Sequence, residues 1–154
     1  MELPKRARTA DWENGVLTLD GEKKFEIPEL TMALMERLAG YTLVGFHVKG
    51  YSVTDELLAP FAEHKSMVNF GVENGTLTDA CFLIFAAMPK LRYLLLDGNA
   101  AIHGSGLSAL QSCKLDLLTL NRTCLLYTSI GRSPRRNATA TRAGDAFKTS
   151  RSAA

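Results

Sequence analysis

The sequence predicts an α/β chain of parallel strands joined by short helical return arms, and three observations lead there. An apolar triplet at relative positions 1, 4 and 6 recurs: Leu43, Phe46 and Val48, then Met67, Phe70 and Val72, then Leu91, Leu94 and Leu96, then Leu115, Leu118 and Leu120. The step between copies is a constant 24 residues, and a fixed step is the mark of stacked structural units. Within each copy, positions 4 and 6 alternate with position 5, which is the period of a strand with one face in a core. After each strand come helix-starting residues and then apolar residues at helical spacing. Thr54 and Asp55 precede Leu57, Leu58 and Phe61; Thr78 and Asp79 precede Phe82, Phe85 and Ala86; Gly104, Ser105 and Gly106 precede Leu107 and Leu110. One strand–helix unit cannot bury both of its faces, so copies must stack. Strands are predicted over 43–48, 67–72, 91–96 and 115–120, and helical arms over 54–64, 78–88 and 105–113.

A plain α/β domain with crossover helices is the alternative, but a full βαβ unit takes about 30 residues or more. Locally, Asn74 and Gly75 would suit a two-residue hairpin turn. The spacing favours instead a strand 67–72 that pairs in parallel with 43–48 and 91–96.

Leu91, Leu94, Leu96, Asn99, Ile102, Leu107 and Leu110 resemble the leucine-rich repeat pattern, with the short helical return arms of its ribonuclease-inhibitor-like and bacterial branches. The resemblance covers residues 43–121, 79 of the 154. It implies a right-handed leucine-rich-repeat solenoid, with parallel strands on the concave face and short helices on the convex face, truncated at the C-terminus. Its copies would be 43–66, 67–90, 91–114 and a partial 115–121. In that family an asparagine side chain bonds loop backbone and links neighbouring repeats. Asn99 fills that place here, while Tyr51 and Gly75 hold it in the two preceding copies, and Ile102 falls one residue later than Val53 and Leu77 do.

Residues 1–42 read as an atypical, cap-like first unit. Leu17, Leu19 and Gly21 echo Phe46, Val48 and Gly50 at a separation of 29. Pro28 suits a first helical position, Leu30, Leu34 and Leu38 follow at helical spacing, and Gly40 suits a helix stop. Residues 1–12 have little apolar content and are expected to be loose.

Residues 122–154 break the pattern. They carry seven Arg and Lys against Asp145 alone, a net of +6, whereas residues 1–121 hold 11 Lys and Arg against 15 Asp and Glu, a net of −4. Such a segment is expected to be a disordered basic tail, because it cannot bury enough apolar surface to offset ordering entropy. Residues 124–129 resemble the conceptual translation of adapter DNA used in sequencing libraries. On that resemblance the tail is artefactual, the natural frame diverges near Thr123, and the chain is a fragment of a longer protein. The alternative is a genuine basic tail that contacts phosphates or an acidic partner.

Catalytic signals are sparse. His47, His64 and His103 fall in three separate parts of the predicted coil, so no metal site is expected. Ser105 lies near His103, but the GxSxG elbow is absent, and Gly98, Gly104 and Gly106 lack the Lys-Ser/Thr of a phosphate loop. Cys81, Cys113 and Cys124 have no CxxC spacing and read as reduced thiols, which together with the missing apolar leader points to the cytoplasm. No run is long and apolar enough to span a membrane. The acidic body does not suit nucleic acid. No cofactor is expected.

The expectation is therefore a non-catalytic protein-interaction module that binds a protein partner through the outward positions of its strands. His47, Lys49, Glu73, Asn74, Arg92, Tyr93, Leu95 and Asp97 are the candidate contacts, with Tyr93 and Arg92 as the aromatic and cationic anchors that interfaces favour. Asp20 is a possible earlier member of the column Lys49, Glu73, Asp97 and Asn121. Glu73 and Asp97 would stand one strand apart, a repulsion that a basic partner would relieve. The alternatives are a structural or assembly fragment with no independent function, or the N-terminal targeting part of a longer enzyme.

Overall fold

The computed structural model describes residues 2–50 and 53–124, and the backbone of 138–141. It is a mixed α/β arrangement built on one sheet. The strands are β1 (Thr9–Glu13), β2 (Val16–Leu19), β3 (Lys23–Glu26), β4 (Gly45–Lys49), β5 (Asn69–Glu73), β6 (Tyr93–Leu95), β7 (Leu117–Leu120) and β8 (Ala138–Thr141), in the order β3-β2-β1-β4-β5-β6-β7-β8. Helices α1 (Met32–Ala39), α2 (Asp55–Leu58) and α3 (Cys81–Ala86) and the 3₁₀ segments Ala59–Phe61 and Leu107–Ser112 connect them.

The 24-residue step becomes hydrogen-bond register. Gly45 pairs with Asn69, Asn69 with Tyr93 and Tyr93 with Leu117, all in parallel. The ladder starts before the strands proper: Val44 O receives the amides of Val68 and Asn69, Val68 O those of Arg92 and Tyr93, and Arg92 O those of Asp116 and Leu117. It continues past them, since Gly50 N donates to Glu73 O, Asn74 N to Asp97 O and Gly98 N to Asn121 O. The observed strands begin about two residues after the predicted starts, because the first apolar position of each copy (Leu43, Met67, Leu91, Leu115) serves as a buried entry to the strand.

Phe46, Val48, Phe70, Val72, Leu94, Leu96, Leu118 and Leu120 are each no more than 2% exposed. The helical segments pack on this face. The Phe46 ring lies 4.7 Å from Phe61 and 5.1 Å from Phe70, and Phe70 lies 5.1 Å from Phe85, centroid to centroid. Each such ring removed from water contributes about 1.5–3 kcal/mol. Val53, Leu77 and Ile102 are all fully buried, and the extra residue before Ile102 is taken up in a turn closed by Ile102 N and Asn99 O.

The beginning of the chain differs from expectation. Thr9–Trp12 are not loose: β1 pairs in parallel with β4 and antiparallel with β2, and Ala10 and Trp12 are buried. It is β1, not the Leu17–Leu19 segment, that continues the parallel sheet. β2 turns back on β1 through Asn14 and Gly15, whose φ values of 51° and 79° suit a two-residue hairpin turn. Trp12 Nε1 donates to Ile27 O at 2.8 Å, and a Cβ on Gly50 would come within 2.9 Å of the Trp12 ring. Helix α1 starts at Met32, not Pro28, because the Thr31 hydroxyl accepts the Leu34 amide and caps it there.

Most of the expected basic tail (125–137 and 142–154) lies outside the described residues. Ala138–Thr141, within the tail expected to be disordered, form β8, which pairs antiparallel with β7 at Leu118 and Leu120.

Candidate functional site

Strand alternation sends one set of side chains away from the helices. In register across the sheet these are Asp11, His47, Gly71, Leu95 and Thr119 in one column, and Thr9, Gly45, Asn69, Tyr93 and Leu117 beside it. Six of the eight predicted contact residues need separate description, because the structure gives them different work.

His47 Nε2 and Glu73 Oε1 are 3.0 Å apart. The His47 ring reaches Glu73 by lying across Gly71 on the adjacent strand, where any Cβ would collide with the ring. Gly71 is therefore the condition for the pair. Lys49 Nζ lies 3.2 Å from Glu13 Oε1, its register partner on β1. Arg92 pairs with Asp116 on the exposed surface, and that partner holds the guanidinium pKa above its usual value. Asp97 accepts the Asn121 amide at 2.8 Å. Glu73 and Asp97 thus each have a partner within the chain. Asn74 sits in the turn after β5 with φ 55°, its side-chain oxygen against Gly98.

Tyr93 and Leu95 complete the set. Tyr93 is 40% exposed and Leu95 is half-buried beside it on the same strand and face. Tyr93, Leu95, His47, Glu73 and Lys49 come together on three adjacent strands; Arg92 and Asp97 stand at opposite ends of β6, and Asn74 belongs to the loops. Asp20 is not part of the column it was assigned to. Glu13 takes that place opposite Lys49, while Asp20 turns (φ 54°) to accept the Arg8 and Thr9 amides at 2.8 and 3.0 Å. Those two backbone donors hold its carboxyl below the usual range.

A shallow depression of about 480 Å³ lies on this face, lined by Asp11, Asp20, Gly45, His47, Asn69 and Leu95 among others. Sequence reading missed Asp11 because it assigned that segment to a loose end. It also missed two lateral carboxylates at the other end of the strands. Asp55 accepts Thr78 N and Thr78 Oγ1, and Asp79 accepts the amides of His103 and Gly104, both at 2.9 Å, and of Ser105, together with the Ser105 hydroxyl. Burial pushes the Asp79 carboxyl up, but these bonds outweigh it and leave it below the usual range. These residues were expected only to start helices; their spacing of 24 was the available clue to a lateral role.

Among the described residues no group of three His, Cys, Asp or Glu side chains is placed to hold a metal ion, and no helix is long and apolar enough to cross a membrane. Burial, and then the charges of Asp55 and Asp79, push the Cys81 thiol far up, and burial raises Cys113. The chain matches no protein-family model, no curated protein and no solved structure.

Proposed function

We propose that the chain is a protein-interaction module of leucine-rich-repeat type, a short-repeat solenoid that docks a protein partner on the sheet face opposite its helices. The 24-residue register, the buried apolar columns and the Asn99 side chain support the repeat reading. Asn99 is fully buried, donates to Val72 O and Leu96 O at 2.8 and 2.9 Å, and accepts Leu77 N at 3.3 Å, so it bonds the preceding copy as the family's asparagine does.

The observation that carries the docking face is Tyr93 exposed beside Leu95 on that face, with polar pairs at His47–Glu73, Lys49–Glu13 and Arg92–Asp116 on or beside the same sheet. An aromatic and an aliphatic residue within a polar rim is the composition of an interface centre. Exposed Leu83 on α3, 71% accessible, supplies a control on the helical side. Co-precipitation of a purified partner is expected to weaken at least tenfold with Tyr93→Ala, as for an interface anchor, and to be unchanged with Leu83→Ala. The opposite result would move the docking surface to the helices.

A further inference from the structure

We propose that the depression between β1, β4 and β5 receives a lysine or arginine side chain of a basic partner segment, its charge met by Asp11 and Asp20. The inference rests on the docking face proposed above and names the chemistry of its occupant.

Three observations bear on it. The first is space. Gly45 places no side chain on the docking face, and the depression of about 480 Å³ is within the size range of ligand clefts. The space is not forced by the backbone: a Cβ at Gly45 would meet only the Thr9 methyl at 3.6 Å, an ordinary contact. A larger residue could stand there, and the glycine leaves room instead.

The second is the distribution of used and unused charge. Glu13 is engaged by Lys49, Glu73 by His47, and Asp97 by the Asn121 amide. Asp11 is exposed, lines the depression, and has no ion-pair or hydrogen-bond partner for its side chain among the described residues. Asp20 uses Oδ1 for both of its backbone donors. Its Oδ2 has no hydrogen-bond or ion-pair partner among the described residues; the two donors keep the group ionised, and the more distant charges of Lys23 and Arg8 act on it in the same direction. Two carboxylates with spare acceptor capacity at one open depression favour a cation there.

The third is the surroundings. Leu95 forms part of the lining and Tyr93 is close by on the same face. Long cationic side chains lay apolar stems along such surface while their heads reach a carboxylate, and an arginine also stacks on an exposed aromatic ring.

The test uses the full chain, labelled with nitrogen-15, titrated with an acetylated and amidated peptide of alternating arginine and threonine, and with the glutamate version of that peptide. The arginine peptide is expected to shift the amide signals of Asp11, Gly45 and Gly71. Binding is expected to weaken about tenfold with Asp11→Asn and with Gly45→Val, which fills the depression. Asp11→Asn is a surface change that leaves the fold intact, so it keeps the test decisive should Gly45→Val perturb the sheet. Shifts confined to other regions, or equal binding of the glutamate peptide, would overturn the inference. Loss of a purified partner with Tyr93→Ala but not with Asp11→Asn or Gly45→Val would overturn it and leave the docking face standing. Normal partner binding by all three variants would overturn both.

Discussion

The same dipeptide appears twice, with opposite results. Asn14–Gly15 closes an antiparallel hairpin between β1 and β2, while Asn74–Gly75 leaves β5 and leads toward α3 without a hairpin. Both asparagines adopt positive φ, 51° and 55°, but only the first glycine follows at 79°. The difference lies in what surrounds the second pair. A Cβ at Gly75 would come within 2.9 Å of Asn99 Oδ1 and of Val72 Cγ1, and within 3.2 Å of Val53 O. Here glycine serves close packing between copies, whereas Gly15 serves backbone conformation. Next to it, Thr76 sends both its amide and its hydroxyl to Val53 O in the preceding copy. A turn-forming dipeptide makes its turn when the residues after it can pair back. Val16–Leu19 can; Thr76, Leu77 and Thr78 are already bonded sideways.

The comparison breaks most severely at Asn99. Asn99→Ala strands Val72 O, Leu96 O and Leu77 N in the core, and is expected to cost about 3 kcal/mol in denaturant unfolding. A loss under about 1 kcal/mol would mean that water replaces the amide. Gly75→Ala comes next, at about 2 kcal/mol from overpacking, and Gly15→Ala should cost less, about 1 kcal/mol for a left-handed alanine. If Gly15→Ala proves the more damaging, packing is not what distinguishes the two sites.

Asp79→Asn sharpens the contrast through pH. The folded carboxyl is held below its unfolded value, so its contribution is present above about pH 4 and is lost as pH falls through the lowered folded value. The variant is expected to be about 2 kcal/mol less stable at neutral pH, with the gap narrowing on acidification. Asp55→Asn, with donors from Thr78 only, should show a smaller gap. The smallest expected effect is chemical. Cys81 begins α3, is buried, and has a strongly raised pKa, so thiol reagents should modify exposed Cys124 and leave Cys81 intact. Gly75→Ala should speed Cys81 labelling; Gly15→Ala should not.

These sites also mark how far the sequence could be read. Spacing was sufficient for the middle of the chain, because the apolar triplets repeat at 24 residues and their central members Phe46, Phe70, Leu94 and Leu118 became successive register partners. It failed at β1, where Ala10 and Trp12 are the only inward residues and their register partners, Phe46 and Val48, are 36 residues away. The signal that would have placed β1 was Asn14–Gly15 ahead of the alternating Val16–Leu19, a hairpin cue that counting at one period passes over. The face positions were legible as a column, His47, Gly71, Leu95 and Thr119. What each does was not, since Gly71 matters only because the His47 ring crosses it, and Asp11 only because β1 lies beside β4.

The ladder that begins at Val44 O, Val68 O and Arg92 O has a consequence for how such a gene changes. Each carbonyl receives the two amides 24 and 25 residues later, so every copy presents the same connector to the next. Unequal recombination that removes or inserts one whole copy joins a compatible donor to a compatible acceptor, and the sheet closes over the scar. A change of any other length puts inward side chains outward or leaves backbone amides without carbonyls. Lineages carrying this chain should therefore differ in length by whole copies, with the variation falling between Leu43 and Leu120 and sparing the hairpin, which has only one way to meet β4.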